Sequence, residues 1–196
     1  MEKLNVASPT VEEVKKQLQL WEKAEKYEKY RKQEKSVQIL FQEKFPDNTK
    51  IEEVLIKVAV LNDFYSTNIF DTYSVARHIV GLNIDGSLAN ADVNIVEKIA
   101  QTPNKRFYSF ASKYCSHHLP DEFPIYDNLV SKMLIRFKLQ DKFSTFKSKD
   151  LKDYSAFKTT MNDFKQHYKL EEFSLKEIDR YLWVLAREIF STKNRN

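Results

Sequence analysis

An aspartate that follows a proline-containing segment has the surroundings that point most directly to chemistry. Asp127 ends the run Pro124-Ile125-Tyr126-Asp127, and residues 129–134 after it begin an apolar stripe at helical spacing. Because the proline favours extended backbone ahead of that helix, the pattern places Asp127 at a helix N-cap. Its carboxylate can serve there as an ordinary cap for free backbone N–H groups. Facing a substrate, it can instead stabilise developing positive charge or accept a proton.

A basic and aromatic segment precedes this aspartate. Residues 102–104, Thr-Pro-Asn, interrupt a short helix predicted for residues 91–100, and Lys105 and Arg106 follow directly. Aromatic side chains then recur at the spacing of one helix face: Phe107, Phe110 and Tyr114. Their rings can either pack in the core or form the wall of a pocket for a planar group, and the sequence leaves both open.

The end of the same predicted helix carries potential metal ligands. Cys115 and His118 are three residues apart, so both can reach one ion. A zinc site needs a third and usually a fourth ligand, and neither His78 nor His167 has a spacing that supplies one. We therefore expect no metal site and no cofactor.

The elements that must position these residues are helical nearly throughout the chain. An apolar helix over residues 51–61 follows the capping-box pattern Thr49-x-x-Glu52, and another over residues 175–190 follows Ser174-x-x-Glu177. No stretch alternates convincingly at the period of a strand. The sequence predicts an all-α fold of about eight helices, with an N-terminal helical extension over residues 1–45 that packs on a helical domain over residues 46–196.

The N-terminal extension is strongly charged. A helix that begins after the Thr10-x-x-Glu13 capping box continues into residues 22–35, where glutamates precede lysines by four residues. The three pairs are Glu22/Lys26, Glu25/Lys29 and Glu28/Lys32. This segment is either a solvated helix over the domain or a basic binding arm.

Composition excludes several classes of protein. With 42% hydrophobic and 13% aromatic residues, the chain is too apolar to be disordered. Its two glycines are too few for a dinucleotide fingerprint, and Ser87-Leu88 stands where a P-loop needs Lys followed by Ser or Thr. One cysteine, no long apolar run and no signal-peptide core lead us to expect a soluble cytoplasmic protein that is not inserted in a membrane. The net charge of +4 alone does not identify a partner, and the oligomeric state stays open.

Residues 105–134 resemble the catalytic part of the helix-hairpin-helix DNA glycosylases, the superfamily of endonuclease III and 8-oxoguanine glycosylase. Members of that family are all-α. They place a hairpin, a helix and a short proline-containing loop before an aspartate that starts the next helix. Residues 124–127 look like that loop, and the apolar residues 54–61 resemble the helix that precedes the hairpin. The resemblance extends over residues 50–190, and its specific motif covers residues 105–134 alone.

The resemblance implies a glycosylase-like protein of DNA repair, a hydrolase that excises a damaged base. Asp127 would stabilise the sugar cation as the base leaves, and Lys105, or alternatively Lys113, would stand for the nucleophilic lysine of members that also have lyase activity. The implied DNA-binding residues of the hairpin are Asn104, Lys105 and Arg106. The implied walls of the base pocket are Phe107, Tyr108 and Phe110.

The chain also departs from the family pattern. The family's hairpin usually carries two glycines whose N–H groups approach a DNA phosphate, and this hairpin has none. The loop before Asp127 has one extra residue, and the single cysteine excludes the family's four-cysteine iron–sulfur cluster. The alternative function is a catalytically inactive helical module that binds DNA or a protein. A helical enzyme of unrelated chemistry has no motif in this sequence.

Overall fold

The computed structural model describes residues 6–103 and 105–191, and their contacts form two compact units. The first, the central unit, is Glu28–Ile125. The second, the terminal unit, combines both ends of the chain, the residues up to Tyr27 and those from Tyr126 onward. The contacts therefore divide the chain at two places, whereas the sequence led us to place one boundary after residue 45.

The predicted all-α class is confirmed, since the described residues form ten α-helices and no strand. The helices are α1 (Val11–Lys23), α2 (Glu28–Gln38), α3 (Ile51–Tyr65), α4 (Thr72–Gly81), α5 (Asp85–Ala89), α6 (Asn94–Ala100), α7 (Tyr108–His118), α8 (Asn128–Asp141), α9 (Tyr154–His167) and α10 (Leu175–Ser191). Shorter segments are 3-10 helical at Glu25–Tyr27 and Asp150–Lys152 and π-helical at Ile39–Lys44. None of the helices in the described ranges has the length and apolar content to span a bilayer.

The central unit is built on α3 and α7. Helix α3 packs against α4 and α7. Helix α2 packs against α3 and α7, and α6 packs along α7. The buried face of α3 carries Val54, Val58 and Leu61, each fully buried. Their spacing of three and four residues is that of one helix face, which is why this helix was predicted from its apolar pattern.

The terminal unit is organised around α10, against which α1, α8 and α9 pack. Residues three and four apart on α10 are buried, among them Ile178, Leu182 and Leu185. The predicted capping box at its start is present: Ser174 accepts the N–H of Glu177 at 3.2 Å, and the Glu177 carboxylate accepts the N–H of Ser174 at 2.8 Å.

Two local predictions were wrong. The charged N-terminal helix is interrupted at Ala24, whose ψ of 130° is extended, so Lys26 does not face Glu22; its Nζ lies 2.6 Å from Glu188 instead. The N-cap of α3 is Lys50, one residue after the predicted Thr49, and its side chain makes no capping bond.

Candidate functional site

Helices α6 and α7 are joined by a short hairpin, residues 101–107. Gln101 and Arg106 form an antiparallel bridge across it. The Thr102 hydroxyl donates to the carbonyl oxygen of Lys105 at 2.5 Å and accepts the N–H of Lys105 at 3.4 Å. Since α6 and α7 also pack together, the segment is a helix, a closed hairpin and a second helix.

The hairpin closes without glycine. None of its described residues has a positive φ, so a Cβ fits at each of these positions. The two hydrogen bonds of the Thr102 side chain close this turn. In the family pattern, two glycines would permit a tight turn through their wider range of φ. Asn104, predicted to contact DNA, lies outside the described residues.

The two cations of the hairpin, Lys105 and Arg106, are both exposed but differ in their partners. Arg106 donates to the two carboxylate oxygens of Glu97 at 3.1 and 2.5 Å, and its guanidinium lies 4.3 Å from the centre of the Tyr108 ring. The Nζ of Lys105 lies 5.1 Å from the centre of the Phe107 ring. Because a carboxylate already balances Arg106, Lys105 is the cation better placed to meet an anionic ligand.

The three aromatic residues predicted to wall a base pocket differ in exposure. Phe107 is partly exposed, whereas Tyr108 is 6% and Phe110 is 1% exposed. The Phe110 ring lies 5.8 Å from the ring of Tyr114 within the core of the central unit. Two of the three rings therefore pack in the core, and the base pocket stays a prediction.

Asp127 is the N-cap of α8 in the terminal unit. Its backbone is extended, with φ −128° and ψ 147°, and its Oδ1 accepts the N–H of Leu129 at 2.7 Å. The preceding Tyr126 is 5% exposed and packs edge-on against Phe157 at 5.4 Å, which anchors the loop. The predicted N-cap is thus present, with a carboxylate that is fixed in place and half-exposed. Its catalytic role stays a prediction, as does that of Lys105, which belongs to the central unit.

The central unit contains a buried polar cluster that the sequence analysis did not predict. Lys57 of α3 is fully buried, and its Nζ donates to the carbonyl oxygens of Phe45 at 3.0 Å and Asp47 at 2.9 Å. Its third bond, at 2.6 Å, goes to Oδ1 of Asn48, which is itself 1% exposed. The Asn48 amide in turn donates to Asp85 at 2.6 Å. Every proton of the ammonium group has an acceptor, which is what a buried charge requires.

Two side chains of α7 complete the cluster. The hydroxyl of Tyr114 donates to Asn48 Oδ1 at 2.5 Å, and Nε2 of His118 lies 3.2 Å from the same oxygen. Burial lowers the pKa of Lys57 to about 8, although the neighbouring Asp85 carboxylate opposes this. Burial, and after it the charge of Lys57, lowers the pKa of His118 to about 3. Burial also raises the pKa of Cys115, which is fully buried beside them.

The sequence did contain a signal for this cluster. Lys57 lies three residues after Val54 and four before Leu61, on the buried face of the most apolar helix. A lysine at such a position must either extend to solvent or find buried partners. Its acceptors, the residues 45–48, are contributed by a preceding loop whose path no periodicity predicts.

Comparison with known proteins places the chain among relatives. A family profile, HI_0787_N, described as an N-terminal domain, matches residues 13–122. A protein of Haemophilus influenzae described as uncharacterized is 46% identical over 155 residues, which are 76% of this chain and 74% of the relative. No solved structure matches the chain. The matched residues include the hairpin and the Lys57 cluster, and they end before Asp127.

Proposed function

The chain belongs to the HI_0787_N family, and for it we propose a DNA-binding, glycosylase-like function in which the α6–α7 hairpin contacts the DNA backbone. The observation that supports this proposal most is the closed hairpin between two packed helices, with an exposed Lys105 after its tip. Such a hairpin offers an exposed lysine to a phosphate, and phosphate contacts position a protein on DNA without reading its sequence.

Asp127 supplies the chemical part of the proposal. Excision of a base breaks a glycosidic bond and develops positive charge on the sugar, which a fixed carboxylate stabilises. The hydrogen bond from Leu129 to Oδ1 and the anchored Tyr126 hold this carboxylate in one place. The target base must first leave the stack of the duplex.

Binding of DNA is tested by titrating a labelled duplex at several salt concentrations. We expect affinity to fall steeply with salt, because bound cations release counterions from the phosphates. Lys105→Ala should reduce the slope of log K against log salt by about one. The control is Lys44→Ala, which removes an equally exposed lysine of the central unit and should leave the slope unchanged. An unchanged slope in Lys105→Ala would contradict the hairpin contact.

Excision is tested on duplexes that carry oxidised, deaminated or alkylated bases. Asp127→Asn keeps a good N-cap but removes the charge, so it should lower the cleavage rate at least about a hundredfold without unfolding the protein. Asp153→Asn is the matched control, because Asp153 caps α9 of the same unit through the N–H of Ala156 at 2.9 Å. Equal cleavage by Asp127→Asn and the parent would disprove this role. Borohydride trapping tests Lys105 or Lys113 separately, since a Schiff base leaves a covalent DNA adduct.

The burial of Tyr108 and Phe110 favours the second candidate function, an inactive helical module that binds DNA or a protein. Such a module would bind without excising any base. Steep salt dependence without cleavage would identify DNA as the partner, whereas no DNA binding at low salt would point to a protein.

A further inference from the structure

A phenylalanine at the junction of α3 and α4 is almost completely exposed. Phe70 has 97% of its surface accessible, and Tyr73, three residues later, has 53%. Arg77, four residues after Tyr73, is exposed as well. Because residues four apart lie on the same side of a helix, Tyr73 and Arg77 form an exposed stripe on α4, and Phe70 lies just before the Asp71 N-cap of that helix.

The loop that leads to Phe70 is held firmly by side-chain hydrogen bonds. The Asn62 amide donates to the carbonyl oxygen of Ile69 at 2.9 Å and accepts the Ile69 N–H and the Thr67 hydroxyl, each at 2.9 Å. Ile69 is only 4% exposed, and Asn68 adopts a left-handed φ of 57°. A ring presented by so ordered a loop loses little conformational freedom on binding, which favours a binding role.

A hydrogen bond also joins α4 to α6, the helix that leads into the hairpin. The ring nitrogen Nε2 of His78, the residue after Arg77, lies 2.8 Å from the carbonyl oxygen of Lys98 in α6. Lys98 is exposed and adjoins Glu97, the carboxylate that pairs with Arg106 of the hairpin. Helix α4 and the base of the hairpin are therefore joined within the central unit.

The carboxylate nearest the stripe is already engaged. Asp71 accepts the N–H of Ser74 at 2.9 Å and its hydroxyl at 2.5 Å. Both bonds lower the pKa of Asp71, so its carboxylate stays negatively charged and is held in place as the N-cap of α4. Helix α4 itself contains no acidic residue, and Arg77 supplies on its exposed side a cation that a phosphate can contact.

We propose that Phe70, Tyr73 and Arg77 form a stacking site for unpaired nucleobases, an inference that rests on the proposed DNA binding by the hairpin. Aromatic rings stack on any base, and arginine adds contacts to bases and phosphates, so such sites prefer unpaired strands without reading sequence. The substrate class that follows is DNA in which bases stand unpaired beside a duplex.

The test uses the full chain and two labelled DNAs, a fully paired duplex and the same duplex with a run of unpaired thymines. Phe70→Ala should weaken binding of the unpaired DNA about tenfold or more and leave binding of the paired DNA unchanged. Leu139→Ala is the control, because Leu139 is 77% exposed and lies outside the central unit, and it should change neither affinity. Phe70→Trp should bind like the parent and show fluorescence quenching with the unpaired DNA, whereas Leu139→Trp should not.

The outcomes separate this inference from the proposed function. Parent-like binding of both DNAs by Phe70→Ala overturns the stacking site and leaves the hairpin proposal standing. If Phe70→Ala loses binding of the unpaired DNA and Lys105→Ala retains it, the stacking site is supported and the hairpin contact is contradicted. If the parent binds neither DNA, both fail, and the exposed ring is assigned to a protein partner.

Discussion

At the scale of single residues, Lys57 links a loop of the central unit to its core, and the sequence analysis singled out no role for it. Its ammonium group is fully buried and joins a loop, through Asn48 and two carbonyl oxygens, to the middle of α3. Asn48 Oδ1 accepts from three donors: Lys57, Tyr114 and His118. A buried network of this kind stabilises one arrangement only while each member keeps the protonation state that its neighbours require.

His118 should make the protein sensitive to acid. Its folded pKa of about 3 is below the ordinary 6.5, so the unfolded chain binds a proton that the folded chain does not. Stability is then fully present above about pH 6.5 and falls as the pH drops toward 3, by at most about 1.4 kcal/mol per pH unit. Urea unfolding at several pH values between about 7.5 and 4.5 measures this slope.

Two variants separate the contribution of His118 to this pH dependence from that of the other titratable groups. His118→Gln keeps a donor for Asn48 and cannot be protonated, so its stability should change less between about pH 6.5 and 4.5 than that of the parent. His167→Gln, a change of an exposed histidine, should keep the parental slope. If His118→Gln and the parent lose stability equally, His118 is not the acid-sensitive group.

Single residues were predictable where the interaction is local. The N-cap of Asp127 involves the N–H of Leu129, two residues away, so proline, aspartate and apolar spacing sufficed to predict it. The partners of Lys57 include Asn48 and, through it, Asp85, which is 37 residues from Asn48 in the chain. Such a contact depends on how whole helices pack, and the helical spacing of apolar residues in the sequence contains no information about it.

At the scale of elements, the hairpin between α6 and α7 depends on one hydroxyl. Thr102 both donates to and accepts from Lys105, two bonds that close the turn. Thr102→Val keeps the shape of the side chain and removes both bonds, so we expect a loss of about 1–2 kcal/mol in the free energy of unfolding. Faster hydrogen exchange at the Lys105 amide would report the local opening.

Thr102→Ser supplies the matched control because it keeps the hydroxyl. It should retain most of the stability and the slow exchange at Lys105. If Thr102→Val proves as stable as Thr102→Ser, the hairpin is closed by the backbone bridge between Gln101 and Arg106 and not by the hydroxyl.

Elements were predicted well where a capping residue and an apolar stripe coincide. The box at Ser174 and the stripe after it predicted a helix over residues 175–190, and α10 is Leu175–Ser191. The boundary between α1 and α2 was missed because charged residues on both sides of Ala24 suit a helix equally well. The break is stabilised by distant groups: Lys26 and the hydroxyl of Tyr27 both reach Glu188, each at 2.6 Å.

At the scale of the whole molecule, the two ends of the chain build one compact unit. Residues 6–27 pack with residues 126–191, and α1 lies against α10. The ring of Trp21 lies 5.7 Å from that of Trp183 in an edge-on arrangement. The sequence suggested an N-terminal extension because the stripe of α1 is narrow, and no local pattern indicates which distant helix such a stripe meets.

The terminal unit should therefore depend on α1 as strongly as on its C-terminal helices. Trp21 is 6% exposed, so Trp21→Ala should cost about 3–5 kcal/mol in the free energy of unfolding. Hydrogen exchange should accelerate in α10 although the substitution lies in α1. Lys15→Ala, which breaks the exposed pair with Glu172, should cost at most about 1 kcal/mol. If exchange in α10 is unchanged in Trp21→Ala, the N-terminal helix is an appendage, and α8 to α10 are stable without it.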